Sequence, residues 1–426
     1  MRPMRRRVLL VGCGSADWSL VHELAESGSL PTFQRLMDAG AGGPLKAAGP
    51  LHEAMLWTSI ATGCRPRRHG VAASMEIRPD GGGVQPVGRR SWRVPALWDV
   101  LTGAGLRTAV VNWPASSPAA WGPGIIIDDR FAAISPDPED WPLAPDCVAP
   151  ADLRDPLREL RVHPADLSAV EIGALVPRYR DVDQARDARL VTIAAMLAET
   201  ATVHAAATYL AARADWDLLA VHYRLLGRAQ RAFMRYRAGT DAEAPLYGGV
   251  VDAAYRFVDM MVARLIELSG PDTDVIVVSE RGCSPAHGTP RANGLLIASG
   301  PSFAGDRLVH GVGPFDIMPT ILALFGQTPG GEGRVLSDAL ARPGSATSPA
   351  PAAETEIPDV PDDPSLSPEQ ARVLRDTRVA TLVALAESQI ALGADRDAIA
   401  LLRRAQALQP DHVALPLLLA RAHIGL

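Results

Sequence analysis

The chain has 426 residues and a net charge of −6, with 47% hydrophobic and 21% charged residues. This length suits one large domain and a smaller one, and the composition is ordinary for a soluble globular protein. The net negative charge gives no reason to expect a nucleic-acid partner, because binding of the phosphate backbone needs a basic face. Arginine is plentiful and lysine almost absent, which indicates the coding bias of a GC-rich bacterial genome.

The cysteines and the first residues indicate a cytoplasmic protein. Four scattered cysteines, with no CxxC pair and no zinc spacing, are expected to be buried free thiols in a reducing compartment. They are Cys13, Cys64, Cys147 and Cys283. The basic start and its short apolar run meet Asp17 too early for a signal peptide. No segment is expected to reach the roughly 20 apolar residues of a membrane span.

Apolar runs alternate with helical periodicity along the first 335 residues. Val8–Cys13 is a continuous apolar run, typical of a strand buried on both faces of a parallel sheet. Further strands are predicted at 107–113, 124–128, 217–223, 274–279 and 294–299. Helices are predicted at 17–27, 31–39, 53–62, 95–103, 181–213, 229–236, 247–268 and 313–326. This alternation predicts an α/β fold, a central mostly parallel sheet with helices on both faces.

The stretch EAMLWTSIATGCRPRRHG, residues 53–70, predicts a short helix followed by a basic turn. Gly63 can take the positive φ that ends a helix, and Pro66 prevents its continuation. The start of such a helix concentrates unpaired backbone N–H groups and the positive end of the helix dipole. Residues 53–62 therefore predict a helix whose start suits an anion.

Three stretches depart from this alternation and suggest a domain division. Residues 131–213, rich in Pro and Asp before a long helix, are predicted to be an insertion over the rim of the sheet. Residues 341–364 consist mainly of Pro, Ala, Ser, Thr, Glu and Asp, which cannot bury a core. We predict a main domain over 1–340, a linker over 341–364 and a helical tail over 365–426.

The tail has the small-residue pattern of about one and a half tetratricopeptide repeats. The matching positions are Leu385, Ala386, Gly393, Ala398, Ala405, Pro410 and Ala420. A repeat and a half cannot bury a solenoid core alone. The tail is therefore expected to dock on the main domain, on a copy of itself or on a protein partner.

Ordered motifs in the main domain resemble the type I phosphodiesterase/nucleotide pyrophosphatase branch of the alkaline phosphatase superfamily. They are LLVGCGSADW, WTSIATG with a later HG, DLLAVHY, VIVVSERG, IASGP and MPTILALFG. The resemblance covers most of the first 335 residues and implies an alkaline phosphatase-like fold. Active members hold two metals, usually zinc, with three aspartates and three histidines, and a Thr or Ser attacks phosphorus. The metals polarise the phosphoryl oxygens and lower the pKa of the nucleophile.

In this chain the positions that correspond to the family's reactive residues are substituted. The first metal-binding Asp falls on Gly14, the nucleophile on Glu53, one Asp–His pair on Gly227 and Arg231, another on Glu280 and Arg281, and the last His on His287 or Pro290. Glycine has no ligand atom and arginine no lone pair to offer a metal. Only Glu280 and His287 could still bind one, and no zinc is expected.

Structural roles are also open for the polar residues near these motifs. A shifted register would recover Asp17 or Thr58, but Asp17 is predicted to be a helix N-cap and Thr58 to lie inside a helix. His69 and His222 are predicted to be structural histidines. Glu53 could be a favourable acid in a first helical turn, and Glu280 and Arg281 could form an ion pair at the rim. Arg224, Arg228 and Arg231 could form a solvated helix face, and Cys13 and Cys283 could be a chance pair of thiols.

Three functions compete on this pattern. The first is a catalytically inactive pseudoenzyme that acts as a scaffold, with the tail as its interaction module. The second is an active metal-dependent phosphoric ester hydrolase with a rewired site, which the loss of ligands and nucleophile disfavours. The third is a metal-free sensor of a phosphate-containing anion or nucleotide, with Arg231, Arg281 and the helix start as its cradle.

We also expect the substituted positions to form a compact charge cluster. If Arg231 and Arg281 converge at the carboxyl-terminal edge of the sheet, Glu53 and Glu280 are the natural carboxylates to neutralise them. Such partly buried pairs need their hydrogen bonds completed, because an unpaired buried charge is costly.

Overall fold

The computed structural model describes residues 6–47, 52–78, 83–119, 124–213, 215–284 and 290–341, and parts of 372–424. In the main domain these residues form a nine-stranded sheet. Its strands are β1 (Arg7–Cys13), β2 (Ala41–Lys46), β5 (Thr108–Val111), β6 (Ile125–Ile127), β7 (Val148–Ala149), β8 (Leu218–Tyr223), β9 (Thr273–Ser279), β12 (Asn293–Ser299) and β13 (Arg307–Leu308). Two small hairpins pair β3 (Met75–Ile77) with β4 (Val84–Pro86) and β10 (Gly282–Cys283) with β11 (Pro290–Arg291).

The strand order is β13-β2-β12-β9-β1-β8-β5-β6-β7, and its central part is parallel. In the middle, Leu10 of β1 lies opposite Ala220 of β8 and Ile276 of β9. β12 runs antiparallel to both β9 and β2, and β7 antiparallel to β6. The parallel strands β9, β1, β8, β5 and β6 therefore all end at the same edge of the sheet, as the predicted α/β class requires.

Helices cover both faces of this sheet. They are α1 (Trp18–Glu26), α2 (Pro31–Ala39), α3 (Glu53–Thr62), α4 (Pro66–His69), α5 (Leu97–Gly103), α6 (Arg154–Arg158), α7 (Ala169–Leu175), α8 (Arg189–Ala211), α9 (Leu225–Arg237), α10 (Ala244–Tyr247), α11 (Val250–Ser269) and α12 (Ile317–Leu324). Alternate residues of β1 enter two cores: Leu9 and Val11 pack with α1, α2, α8, α9 and α11, whereas Val8 and Leu10 pack with α3, α5 and α12. The predicted α/β architecture is confirmed.

The helix predicted over residues 53–62 is present with those bounds. Gly63 has a φ of 62° and ends it by donating its N–H to Ser59 O. Asp17 caps α1 as predicted, because its carboxylate accepts hydrogen bonds from Ser19 N and Leu20 N at 3.0 and 3.3 Å. The Gly63 stop of α3 and the Asp17 cap of α1 were therefore predicted correctly from the sequence.

β2 is a strand that the sequence analysis did not predict. Its sequence, AGGPLK, lacks the β-branched residues that usually indicate a strand. Gly43 is required there, since a Cβ at this position would lie 2.2 Å from Val309 O. Close approach of a neighbouring backbone, rather than strand propensity, explains this glycine.

The stretch from 131 to 213 differs from the prediction of an insertion lying over the rim. Phe131, Leu157 and Leu175 are buried in the same core as β1 and α11.

Contrary to the expectation that no segment could span a membrane, α8 is long and apolar enough by length and composition, with a mean hydropathy of 1.5. More than half of that apolar window, 56%, is buried inside the fold, as in the core helix of a globular domain.

The described part of the tail is helical. It contains α13 (Asp395–Leu408) and α14 (Leu415–Ile424), which pack against each other. Its buried residues form a cluster of their own that includes Val379, Leu402 and Leu415. The tail therefore buries part of its own apolar surface, which was expected to need another domain or a partner. Residues 342–371, Leu385 and Gly393 lie outside the described residues, so the linker and the repeat stay predictions.

Candidate functional site

Three neighbouring parallel strands deliver polar residues to one edge of the sheet. Gly14 and Ser15 follow β1, Arg224 follows β8, and Glu280 and Arg281 follow β9. The start of α3 and the first turns of α9 complete a cavity of about 420 Å³. This is the edge at which ligands bind in open α/β sheets.

Most of the candidate site residues named in the sequence analysis lie at this cavity. Gly14, Glu53, Gly227, Arg231 and Arg281 line it, and Glu280 lies fully buried behind it. The other lining residues are Ser15, Ala54, Ser74, Pro86, Val87, Pro114, Ala115, Asp129, Glu199, Arg224 and Arg228. His287 lies outside the described residues, and Pro290 is exposed in β11.

The innermost charges are Arg281 and Glu280, which form a buried ion pair. Arg281 Nε lies 3.3 Å from Glu280 Oε1, and the two side chains are 7% and 0% exposed. Ser15 links them: its N–H donates to Glu280 Oε2 at 3.0 Å, and its Oγ accepts from Arg281 Nε at 3.2 Å. Burial raises the pKa of Glu280, and the Arg281 charge opposes that rise.

Arg224 is the centre of a second, more open network. Its guanidinium lies 3.7 Å from Glu53, 3.6 Å from Asp129 and 4.0 Å from Glu199. Glu199 also pairs with Arg228. Glu53, which the sequence analysis predicts at the nucleophile position, thus pairs with an arginine of the β8–α9 junction.

Arg231 differs from the other three arginines of the cavity. It is exposed on α9, and within the described part of the chain it makes no hydrogen bond and no ion pair. The cluster expected from the sequence is therefore only partly right. Arg281 meets Glu280, but Glu53 meets Arg224 instead of Arg231 or Arg281. The α9 helix carries Arg231 toward solvent, where a long cation needs no carboxylate.

The two glycines of the site stand where the backbone is tightly packed. A Cβ at Gly227 would lie 3.1 Å from Ser15 Oγ and 3.3 Å from Gly14 O. A Cβ at Gly14 would lie 3.3 Å from His222 Nε2. The β1 loop and the first turn of α9 thus occupy the space that longer side chains would need.

Two nearby residues have the structural roles predicted for them. Thr58 lies inside α3 and donates its Oγ1 hydrogen bond to Ala54 O at 2.7 Å. His69 is buried, with Nδ1 accepting from Val71 N at 3.1 Å and Nε2 lying 3.0 Å from Ser59 Oγ. This pairing requires the neutral ring with its proton on Nε2, and burial lowers the pKa of His69 to about 4.

His222 is buried as predicted but is not satisfied by hydrogen bonds. Neither ring nitrogen has a hydrogen-bond partner among the described residues. The ring packs against Trp57, with centroids 4.4 Å apart, and near Trp113. Burial and the charge of Arg224 lower the pKa of His222 well below its usual value. The ring is therefore neutral.

The sequence analysis missed three residues of the site. Ser15 and Asp129 follow the ends of β1 and β6, so their place after apolar runs was a usable signal. Glu199 lies in the middle of α8, and no sequence signal indicates that this helix reaches the cavity.

Comparison with known proteins identifies the family. A sequence model of the type I phosphodiesterase/nucleotide pyrophosphatase family matches residues 8–324. The chain belongs to this family. The resemblance of the motifs and the alkaline phosphatase-like fold predicted from it are confirmed. No curated protein sequence matches the chain.

Several solved structures are similar to the chain at low identity. Phosphonoacetate hydrolase from Sinorhizobium meliloti 1021, in complex with phosphonoformate, has 17% identity and a TM-score of 0.41, with 65% of this chain and 56% of that chain covered. Human ectonucleotide pyrophosphatase/phosphodiesterase 5 has 11% identity and a TM-score of 0.48, with 79% and 100% covered. A putative sulfatase from Bacteroides thetaiotaomicron VPI-5482 has 11% identity and a TM-score of 0.49, with 77% and 73% covered. The chain thus spans little more than half the length of the phosphonoacetate hydrolase.

The residues of the cavity do not fit the two zinc ions that the family resemblance implies. Zinc takes thiolate, imidazole or carboxylate ligands, usually at least three from the protein. Among the described residues, no group of three His, Cys, Asp or Glu side chains has the arrangement of a metal site. Of the carboxylates near Gly14 and Gly227, Glu280 is paired with Arg281 and Glu53 faces Arg224.

Proposed function

We propose that this phosphodiesterase-family chain is catalytically inactive and works without zinc, as a binding and scaffold protein. In this proposal the ion pairs at the cavity hold the ends of the strands together, a role that bound metal ions would otherwise have. The helical tail is the interaction module, for a protein partner or for a second copy of the chain.

The observation that carries this proposal is the buried pair of Arg281 with Glu280. The guanidinium of Arg281 has a fixed positive charge and stands where the family resemblance predicts a metal ligand, and its 3.3 Å contact occupies the carboxylate of Glu280. A metal ion there would be repelled by Arg281 and would have to displace it from Glu280. Glu53, predicted from the resemblance to stand at the nucleophile position, offers a carboxylate in contact with Arg224 instead of a hydroxyl.

The test is elemental analysis of the purified full chain beside an assay on a nitrophenyl phosphodiester. We expect no stoichiometric zinc or manganese, and hydrolysis no faster than a blank, before and after metal is added. The Glu53→Gln variant is the control, because hydrolysis that survives unchanged in it comes from a contaminating enzyme. Two metals per chain with chelator-sensitive turnover that Glu53→Gln abolishes would establish a rewired hydrolase instead.

A further inference from the structure

The lining of the cavity combines a basic part with an apolar part. Arg224, Arg228 and Arg231 come from the start of α9 and the residue before it. The apolar lining comes from the end of β4, the segment after β5 and the start of α3. Its residues are Ala54, Pro86, Val87, Pro114 and Ala115. A volume of about 420 Å³ lies within the usual range for a small organic ligand.

The charges at the cavity limit the charge of such a ligand. Four arginines face four carboxylates, and ion pairs among the described residues engage three of those arginines. They are Arg224, Arg228 and Arg281, paired with Glu53, Asp129, Glu199 and Glu280. Arg231 remains as the exposed cation without such a pair in the described residues. Because the four arginines and four carboxylates already balance, each negative charge on a ligand adds repulsion from the carboxylates. A single negative charge in contact with Arg231 is offset locally, whereas the second charge of a dianion has no further exposed arginine to offset it among the described residues of the lining.

We propose that the cavity binds a small organic anion of a single negative charge, held by Arg231 and packed against Val87 and Ala115. This inference rests on the proposed function, because a pair of metal ions would add positive charge and favour a dianion. The anionic group can be a sulfate ester, a sulfonate or a carboxylate, since a guanidinium binds each through paired oxygen acceptors. The apolar lining then supplies the part of the affinity that a free inorganic ion cannot gain.

The experiment is titration calorimetry on the full chain at pH 8 with a chelator present, using naphthyl sulfate as the probe. We expect naphthyl sulfate to bind more tightly than inorganic sulfate, neutral naphthol or naphthyl phosphate, which is a dianion at this pH. Arg231→Gln should weaken binding by about tenfold or more, the usual worth of a charge-assisted hydrogen bond. Arg256→Gln, which removes another exposed arginine, from α11 and outside the cavity lining, should leave the affinity within about twofold.

The possible outcomes separate this inference from the proposed function. It is overturned by no binding of naphthyl sulfate, by tighter binding of naphthyl phosphate, or by equal losses in Arg231→Gln and Arg256→Gln. Those results would not contradict the proposed function, in which the chain holds no zinc and is catalytically inactive. Binding that appears only when zinc replaces the chelator would overturn both. Melting curves of the two variants that match the wild type exclude loss of folding as the cause of weakened binding.

Discussion

Replacing Arg281 by alanine tests whether the ion-pair network supports the fold. In the wild-type chain Arg281 contacts the fully buried Glu280 and donates to Ser15 Oγ, and its side chain is 7% exposed. The substitution would leave the carboxylate of Glu280 with its hydrogen bond from Ser15 N. The substitution would also remove the cation that neutralises this carboxylate.

The expected cost is about 3 kcal/mol in the free energy of unfolding. Removing one partner of a buried ion pair costs roughly 3–5 kcal/mol, because an uncompensated charge stays in a medium of low polarity. The lower end applies here, since the Ser15 N–H remains at 3.0 Å from Glu280 Oε2 and the Ser15 hydroxyl at 3.5 Å from Glu280 Oε1. The carboxylate can also escape part of the penalty by taking up a proton.

This proton uptake makes the effect depend on pH. Burial raises the pKa of Glu280 and Arg281 opposes the rise, so the pKa rises further in the variant. A group whose folded pKa is raised stabilises the fold below its unfolded pKa, and that stability is lost as pH rises through the folded pKa. The destabilisation by Arg281→Ala should therefore be larger at pH 8 than at pH 5.

Urea unfolding followed by tryptophan fluorescence measures this difference, because Trp57, Trp98 and Trp113 are buried in the core beside the site. The double variant Arg281→Ala with Glu280→Gln is the matched control, since it removes the charge and keeps the shape of the side chain. It should recover most of the lost stability. Unchanged unfolding of Arg281→Ala at both pH values would refute the structural role of the pair.

Two further predictions concern the tail and acid stability. Limited proteolysis should cut first within 341–364 and leave a main-domain fragment and a helical tail fragment, as the composition of that stretch predicts; rapid loss of the tail would contradict it. Because His69 has its pKa lowered from 6.5 to about 4, stability should fall as pH drops from the higher value to the lower, by up to about 3 kcal/mol. Urea unfolding at pH 7 and pH 4.5 should show a smaller loss in His69→Gln than in the wild type, and equal losses would exclude His69 as the cause.

Much of the fold could be predicted from local features of the sequence. The continuous apolar runs of β1, β8 and β9 are typical of buried strands, and Gly63 and Pro66 marked the end of α3. The same holds for what the site lacks. Glycine at positions 14 and 227 removes any ligand atom, whatever the surrounding packing.

The partners of the charged residues depended on how distant segments pack. Glu53 and Arg224 are far apart in the chain, and their contact follows from the order of β1, β8 and β5 and the place of α3 above them. Glu199 reaches the cavity because α8 packs beside β8 and α9, which no periodicity within α8 indicates. Long arginine side chains pair with any carboxylate that the packing brings near. The resemblance of the motifs to the family therefore placed Arg231 and Arg281 at the site, and only the packed structure separates the buried, paired Arg281 from the exposed Arg231.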